Sequence, residues 1–268
     1  MIKPYYADDL VTLYLGDVRT VLPELGVQAD AVIADPPYDE TSLAWDRWPA
    51  GWPTLAAEHA RSMWCFGSLR MFMERGPEFA AGGWKLSHDT VGEFDVDTAV
   101  WEKHNGSSFH TDRIRRVHEL MAHWYRGPWS EVYREVPVTN DARARTVRRK
   151  QRPPHTGDIG RSAYSSVDGG PRLLTSVIRA RSMHGRAIHP TEKPGPVLAP
   201  LIEYAVPLGG LVLDLFAGSC AAGLTARQLG RRAICIEGDE PYLERAAERL
   251  AVPDLFAAAG MPNQDGDR

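Results

Sequence analysis

Short apolar runs alternate with helical stretches along the first half of the chain. Leu10 to Leu15 predicts a strand, and Ala29 to Ala34 predicts a second that ends at Asp35. Met63 to Phe66 is a third apolar run, and Val91 to Trp101 and Leu120 to Tyr125 are candidates for two more. The C-terminal part is sharper. Thr191 to Ala205 predicts a helix, with Thr191 as N-cap and Pro194 in the first turn. Leu211, Val212 and Leu213 lead as a buried strand into Asp214. Gly218 to Leu229 predicts the next helix, Ala233 to Ile236 a strand, and Pro241 to Leu250 a last helix. A succession of strand, glycine turn, helix, strand and helix implies an α/β fold around a parallel sheet.

The pattern breaks down from about Arg134 to Arg186. This stretch is irregular, rich in Pro, Gly and Ser, and holds twelve Arg and Lys against four acids. Its densest run is Arg143, Arg145, Arg148, Arg149, Lys150 and Arg152. Read alone, such a run is either a solvated loop or a local polyanion-binding patch. The formal net charge of −4 over 268 residues excludes a chain that binds polyanions with its whole surface. The length suits one large domain, or one domain with a small insert. The divisions expected are 1–133, 134–186, 187–252 and a polar tail over 253–268. Cys65, Cys220 and Cys235 are few, odd in number and widely spaced, which makes a disulfide framework unexpected and a cytoplasmic location the expectation. The histidines show no metal-ligand spacing, so no metal site is expected. No run of about 20 apolar residues and no secretory leader pattern is present, so no membrane association is expected.

Two motifs carry candidate chemistry. Asp35-Pro36-Pro37-Tyr38 follows the apolar strand directly. In a parallel α/β sheet, ligands sit beyond the carboxyl ends of the strands. The two prolines stiffen the loop and remove two backbone donors, while their carbonyls remain acceptors. With the Asp35 carboxylate and the Tyr38 ring, this set suits an amino group on a planar ring: one N–H to Asp35, one to the Pro36 carbonyl, and the ring stacked on Tyr38. A proline-rich turn with a surface aromatic is the bland alternative. The second motif is Val212-Leu213-Asp214-Leu215-Phe216-Ala217-Gly218-Ser219, an acid ending a buried strand before a small-residue turn. Glu237, after the next strand, stands where an acid can accept both hydroxyls of a ribose. A nicotinamide dinucleotide site and a ligand-free turn are the alternatives. The dinucleotide pattern G-x-G-x-x-G is broken here by Cys220.

Together these motifs resemble the amino-directed DNA methyltransferases, in the circularly permuted group whose catalytic motif precedes the cofactor motif. The family's Asp-Pro-Pro-Tyr, which holds the target base, corresponds to Asp35, Pro36, Pro37 and Tyr38. Its Asp-Pro-Phe-Ala-Gly-Ser-Gly turn corresponds to Asp214 through Cys220, with Leu215 for Pro and Cys220 for Gly. The substitution at Cys220 is expected to crowd the methionine end of the cofactor. The ribose acid corresponds to Glu237, within Ile236-Glu237-x-Asp239. His189-Pro190-Thr191-Glu192-Lys193-Pro194 resembles the family's His-Pro-Thr-Gln-Lys-Pro, which makes Thr191 and Lys193 candidates for the cofactor carboxylate. Leu15-Gly16-Asp17 resembles a Gly-Asp motif whose acid faces the adenine. Trp101-Glu102-Lys103-His104-Asn105 and His118-Glu119 resemble later catalytic-domain motifs.

The resemblance implies a Rossmann-like fold, S-adenosylmethionine as cofactor and double-stranded DNA as partner, in a monomer or homodimer. It makes 134–186 an inserted target-recognition region, with Arg143, Arg145, Arg148, Arg149, Lys150 and Arg152 as DNA contacts. Asp35 favours adenine N6 over cytosine N4 as the target, because aspartate at that position mostly accompanies adenine in the family. RNA or protein-amide methylation would favour Asn-Pro-Pro-Tyr and the reverse motif order. An inactive DNA-binding relative is the rival of another class. A proline-cysteine nucleophile for base-carbon methylation is absent. Trp45, Trp48 and Trp52, just after the catalytic motif, are expected either to shape the pocket or to pack in the core.

Overall fold

The computed structural model describes residues 2–87, 98–103, 111–112, 114–148, 163–183 and 185–252. In chain order it contains β1 (Tyr6–Ala7), β2 (Val11–Leu15), α1 (Val18–Leu25), β3 (Ala31–Ala34), α2 (Trp52–Ala57), β4 (Ser62–Gly67), α3 (Leu69–Ala81), β5 (Lys85–Leu86), β6 (Thr98–Lys103) and β7 (His118–Tyr125). There follow β8 (Val138–Thr139), β9 (Arg145–Arg148), β10 (Ala163–Ser166), β11 (Arg172–Leu173), β12 (Val177–Ala180), α4 (Gly195–Ala205), β13 (Leu211–Asp214), α5 (Ala221–Gln228), β14 (Arg232–Glu237) and α6 (Glu240–Ala251).

The main sheet runs in the order β1, β2, β14, β13, β3, β4, β7, β6, β12, with β5 paired beside β7. Strands β2, β14, β13, β3 and β4 are parallel, as the alternation of strands and helices requires. The sheet is mixed beyond them: β7 runs antiparallel to both β4 and β6. Side chains on successive strand residues point to opposite faces, and the core divides accordingly. Ile33 and Val212 face Leu198, Leu201 and Ile202 of α4, Ala222 and Ala226 of α5, and Leu243 and Ala246 of α6. Val32, Ala34 and Leu213 face Val21 and Leu22 of α1, Trp52 and Ala56 of α2, and Met71 and Phe79 of α3. The result is a three-layer α/β sandwich of Rossmann-like architecture.

Several sequence expectations shift. The helix expected from Thr191 starts at Gly195, and Pro194 is its N-cap rather than part of the first turn. A residue before proline is pushed out of helical geometry, so Lys193 stays outside the helix. The helix expected from Gly218 starts at Ala221, because Gly218 and Cys220 both hold left-handed φ values, 50° and 56°. Only Thr98–Lys103 of the run ending near Trp101 forms a described strand; residues 91–97 lie outside the described residues, as do His104, Asn105 and the tail 253–268. The basic middle is more ordered than its composition suggests. Strands β8 and β11 form one two-stranded ribbon, β9 and β10 a second, and β12 joins the main sheet beside β6. Among the described residues no helix is long and apolar enough to cross a membrane.

Candidate active site

The chain leaves β13 toward its neighbour β14 through α5, and leaves β3 toward its other neighbour β4 through α2. These opposite departures open a crevice between two adjacent parallel strands, the usual ligand position in such a sheet. Asp35 follows β3, and Asp214 ends β13 in register with Ile33. Glu237 ends β14 in register with Leu15, two residues before Asp17. Four separate chain segments therefore deliver acids to one edge. They line a cleft of about 1360 Å³ that also contains Pro36, Pro37 and Tyr38. Pockets for one small ligand span roughly 300–1,000 Å³, so this cleft has room for more than one.

At the β3 side, Lys193 Nζ lies 2.5 Å from Asp35 Oδ2 and 3.2 Å from Glu119 Oε1. Lys103 Nζ lies 2.5 Å from Glu119 Oε2. The Tyr38 hydroxyl is 2.8 Å from Asp35 Oδ1 and 2.9 Å from Glu119 Oε1. A phenol has one proton, so it donates to one of these carboxylates at a time. Burial raises the Asp35 pKa, more than Lys193 lowers it, and Glu119 raises it further. Burial also opposes ionisation of Glu119, but Lys193 and Lys103 together hold its pKa down to about 2. Asp35 is thus the carboxyl better able to take up a proton. Lys193, against its own burial, is kept charged by Asp35 and Glu119. A buried ammonium with two carboxylates around it is a compensated cluster rather than an isolated charge.

Lys193, expected near the cofactor carboxylate, ion-pairs here with Asp35 and Glu119. Glu119 and Lys103 were visible in the sequence only as parts of weaker motif matches, without a role. They reach the site because β7 pairs antiparallel with β4 and β6, a long-range register that local pattern does not specify.

At the β13 side, Glu237 accepts N–H bonds from Gly218 at 2.6 Å and Asp239 at 2.8 Å. A carboxylate has about four acceptor positions, and with the Gly238 N–H also turned to it, one remains for a hydroxyl donor. Burial raises the Glu237 pKa. Asp214 is almost fully buried and accepts from Phe216 N at 3.2 Å; burial pushes its pKa up to about 8. A Cβ on Gly218 would approach the His189 ring to 3.3 Å, so the glycine keeps the turn close to that ring. Ala217 and Ser219 are buried in the same turn. Asp17 caps α1 through Arg19 N and pairs with the Arg19 side chain. Asp239 is the N-cap of α6, and Thr191 bonds the His189 ring. The thiol of Cys220 points away from the cleft toward Cys235, with the sulfurs 3.4 Å apart.

The three tryptophans after the motif divide between the two expected roles. Trp52 is core, whereas Trp45 lies 5.3 Å from the His189 ring at the cleft and Trp48 donates to Glu78. Buried Asp46 belongs to no motif that the sequence displays. It organises this loop by accepting from Asp39 N, Glu40 N and Thr41 N. Arg145 and Arg148 lie on the exposed ribbon of β9 and β10, and Arg143 just before it, and none of the three lines the cleft. Arg149, Lys150 and Arg152 lie outside the described residues.

Residues 29–248 match the N6/N4 methylase family, described as DNA methylase. The chain is 25% identical over 259 residues to the type II methyltransferase M.ScaI of Streptomyces caespitosus, covering 92% of this chain and 84% of that one. It is 43% identical to protein YubD of Escherichia coli (strain K12) over 107 residues, 38% of this chain and 47% of that protein. The fold resembles M1.HpyAVI in complex with SAM, with a TM-score of 0.63 at 19% identity, over 91% of this chain and 100% of that chain. It also resembles the cytosine-N4-specific PvuII DNA methyltransferase, with a TM-score of 0.62 at 13% identity, over 96% of this chain and 92% of that chain. The parallel sheet, the acids gathered at its switch point and the family match over most of the chain lead to one assignment: this chain belongs to the N6/N4 DNA methylase family and is an S-adenosylmethionine-dependent DNA methyltransferase.

Proposed function

We propose that the base methylated is adenine, at N6, within duplex DNA. The observation that carries the reading is Asp35, lining the crevice directly before Pro36, Pro37 and Tyr38. The residues around the cleft fit S-adenosylmethionine. Glu237 has an open acceptor position for a ribose hydroxyl, and Asp214 at this edge favours a cation once it ionises. Asp17, Thr191, Phe216 and Asp239 line the same cleft and are candidates for further cofactor contacts. The bound cofactor supplies an electrophilic sulfonium methyl group.

The protein's part is to hold the amino nitrogen and dispose of a proton. An amino group cannot meet the cofactor inside a duplex, so the base must be flipped out. Asp35 and the Pro36 carbonyl then each accept one N–H, which aims the nitrogen lone pair into the crevice. Tyr38 offers its ring to the base while its hydroxyl stays tied to Asp35 and Glu119. After transfer the alkylated nitrogen must lose a proton, and Asp35 is the nearest carboxyl with a raised pKa. Lys193 and Lys103 offset the charge of the two buried carboxylates. Positioning supplies most of the rate.

Asp35 supports adenine over cytosine through the family correlation, since either base offers two N–H donors. The likeness to a cytosine-N4-specific enzyme is one of fold alone. The test is mass spectrometry of nucleosides from DNA methylated by the purified protein, where N6-methyladenine is expected. Methylcytosine alone overturns the choice of base. Asp35→Ala is expected to lower turnover by at least about 100-fold while S-adenosylhomocysteine still binds.

A further inference from the structure

Strands β9 and β10 form a ribbon that pairs with no other strand among the described residues. Every residue of β9 is exposed, and so are Ala163, Tyr164 and Ser165 of β10. A two-stranded hairpin buries too little to be stable by itself, yet the foot of this one is firmly tied. Asp168 accepts from Ala144 N at 2.7 Å, Ser166 Oγ donates to the Arg143 carbonyl at 2.5 Å, and Gly169 N donates to the Ala142 carbonyl at 2.9 Å. Below this, Arg172 and Asp141 form a two-bond pair at 2.6 and 2.8 Å. The foot anchors the ribbon at its base, and above it the strand residues are exposed.

The register sorts the ribbon into two chemically different faces. Thr146 pairs with Ser165, and Arg148 with Ala163. Because side chains alternate along a strand, these four share one face, and the hydroxyls of Thr146 and Ser165 lie 3.1 Å apart. Arg145, Val147, Tyr164 and Ser166 take the other face. No acid stands in 142–148 or 163–167.

We infer that the β9–β10 ribbon enters the DNA major groove with the face of Thr146, Arg148, Ala163 and Ser165 turned to the base edges, while Arg143 and Arg145 contact phosphates. The proposal rests on duplex DNA as substrate, and it deepens that reading by naming the surface that selects the sequence. The major groove is about 12 Å wide and admits a two-stranded ribbon. Arginine there pairs with guanine O6 and N7, serine and threonine hydroxyls serve any base, and a small apolar side chain meets the thymine methyl. Each of the four residues on that face is of one of these types. On the opposite face the Ser166 hydroxyl is already engaged with the Arg143 carbonyl, which leaves Arg145 beside the bulkier Val147–Tyr164 pair.

The experiment selects duplexes from a randomised library with the wild type, Arg148→Ala and Arg145→Ala, with S-adenosylhomocysteine present, and sequences the bound fraction. Arg148→Ala is expected to erase the preference at one position of the recognised site, a loss of about 5- to 150-fold in discrimination. Arg145→Ala is expected to keep the selected sequence, weaken binding uniformly and reduce the salt slope by about 0.9. An unchanged selected sequence with Arg148→Ala overturns the proposal, as does tighter binding to single-stranded RNA than to any duplex. Methyl transfer is measured in parallel. A wild type that selects sequences through Arg148 but methylates no base overturns the proposed reaction and leaves the ribbon assignment standing. A wild type that methylates one sequence, with Arg148→Ala methylating the same one, does the reverse.

Discussion

Asp214 carries a testable conflict between stability and binding. Its carboxyl is buried at the end of β13 with one N–H donor, and its pKa is raised from 3.8 to about 8. A carboxyl whose folded pKa exceeds its unfolded value favours folding while it stays protonated. That contribution is complete below 3.8 and is lost as the pH rises toward about 8. Asp214→Asn keeps an acceptor for Phe216 and removes the ionisation. Thermal unfolding of the cofactor-free protein is therefore expected to show the variant more stable above pH 8, by about 1–3 kcal/mol, and the gain should vanish near pH 4. Binding of cationic S-adenosylmethionine should move the opposite way, tightening with pH in the wild type and staying flat in the variant. A pH-independent stability difference would falsify the burial argument. Asp214, like Asp35, was legible in the sequence because an acid directly after an apolar strand has an unambiguous place in a parallel sheet. Lys193 was legible as a site residue but not in its contacts. The pull of proline on the residue before it is local, whereas the partners Asp35 and Glu119 are distant in sequence.

At the scale of elements, the turn between β13 and α5 departs from the family pattern at Cys220, and the structure shows where the extra atoms go. The residue holds φ at 56°, a conformation that costs a side chain about 1–2 kcal/mol. Its sulfur is received against Cys235, under the start of α5, rather than in the cleft. The crowding expected toward the cofactor thus falls on the helix–sheet contact instead. A Cβ on Gly223 would come within 2.5 Å of Cys220 Sγ and 2.7 Å of Cys235 Sγ. Gly223→Ala is expected to destabilise by about 1–3 kcal/mol through overpacking. Cys220→Gly removes one of the two obstructing sulfurs and the unfavourable φ, so it should recover part of the loss. Urea unfolding of the two single variants and the double variant should give a coupling of about 0.5–3 kcal/mol. Additive effects would mean that the sulfur of Cys220 is not what Gly223 accommodates. The sequence showed the Cys220 departure but not its direction, because a left-handed residue turns its side chain by an amount that pattern does not reveal.

Over the whole molecule, the order of strands ties the two ends of the chain into one sheet. The β13–β14 pair, from the C-terminal part, lies between β2 and β3 from the N-terminal part. Each of the two strands has one neighbour from its own part and one from the other. The division at 134–186 visible in the composition is therefore not a division of the core. Long-range pairing of this kind is invisible to local periodicity, which is why the strands were legible and their interleaving was not. Cooperative unfolding follows, because neither part can bury its strand edges without the other. The chain supplies separate reporters for the two parts. All eight tryptophans lie between Trp45 and Trp129, and Cys220 and Cys235 lie in the C-terminal strand–helix unit. In a Cys65→Ser background, where remaining thiol exposure reports only the C-terminal unit, tryptophan fluorescence and thiol labelling across a urea series are expected to give one midpoint. The fragment 187–252 alone should expose its thiols without denaturant. Two separated midpoints, or a folded fragment with protected thiols, would show that the cofactor half carries its own core and that the shared sheet contributes little to its stability.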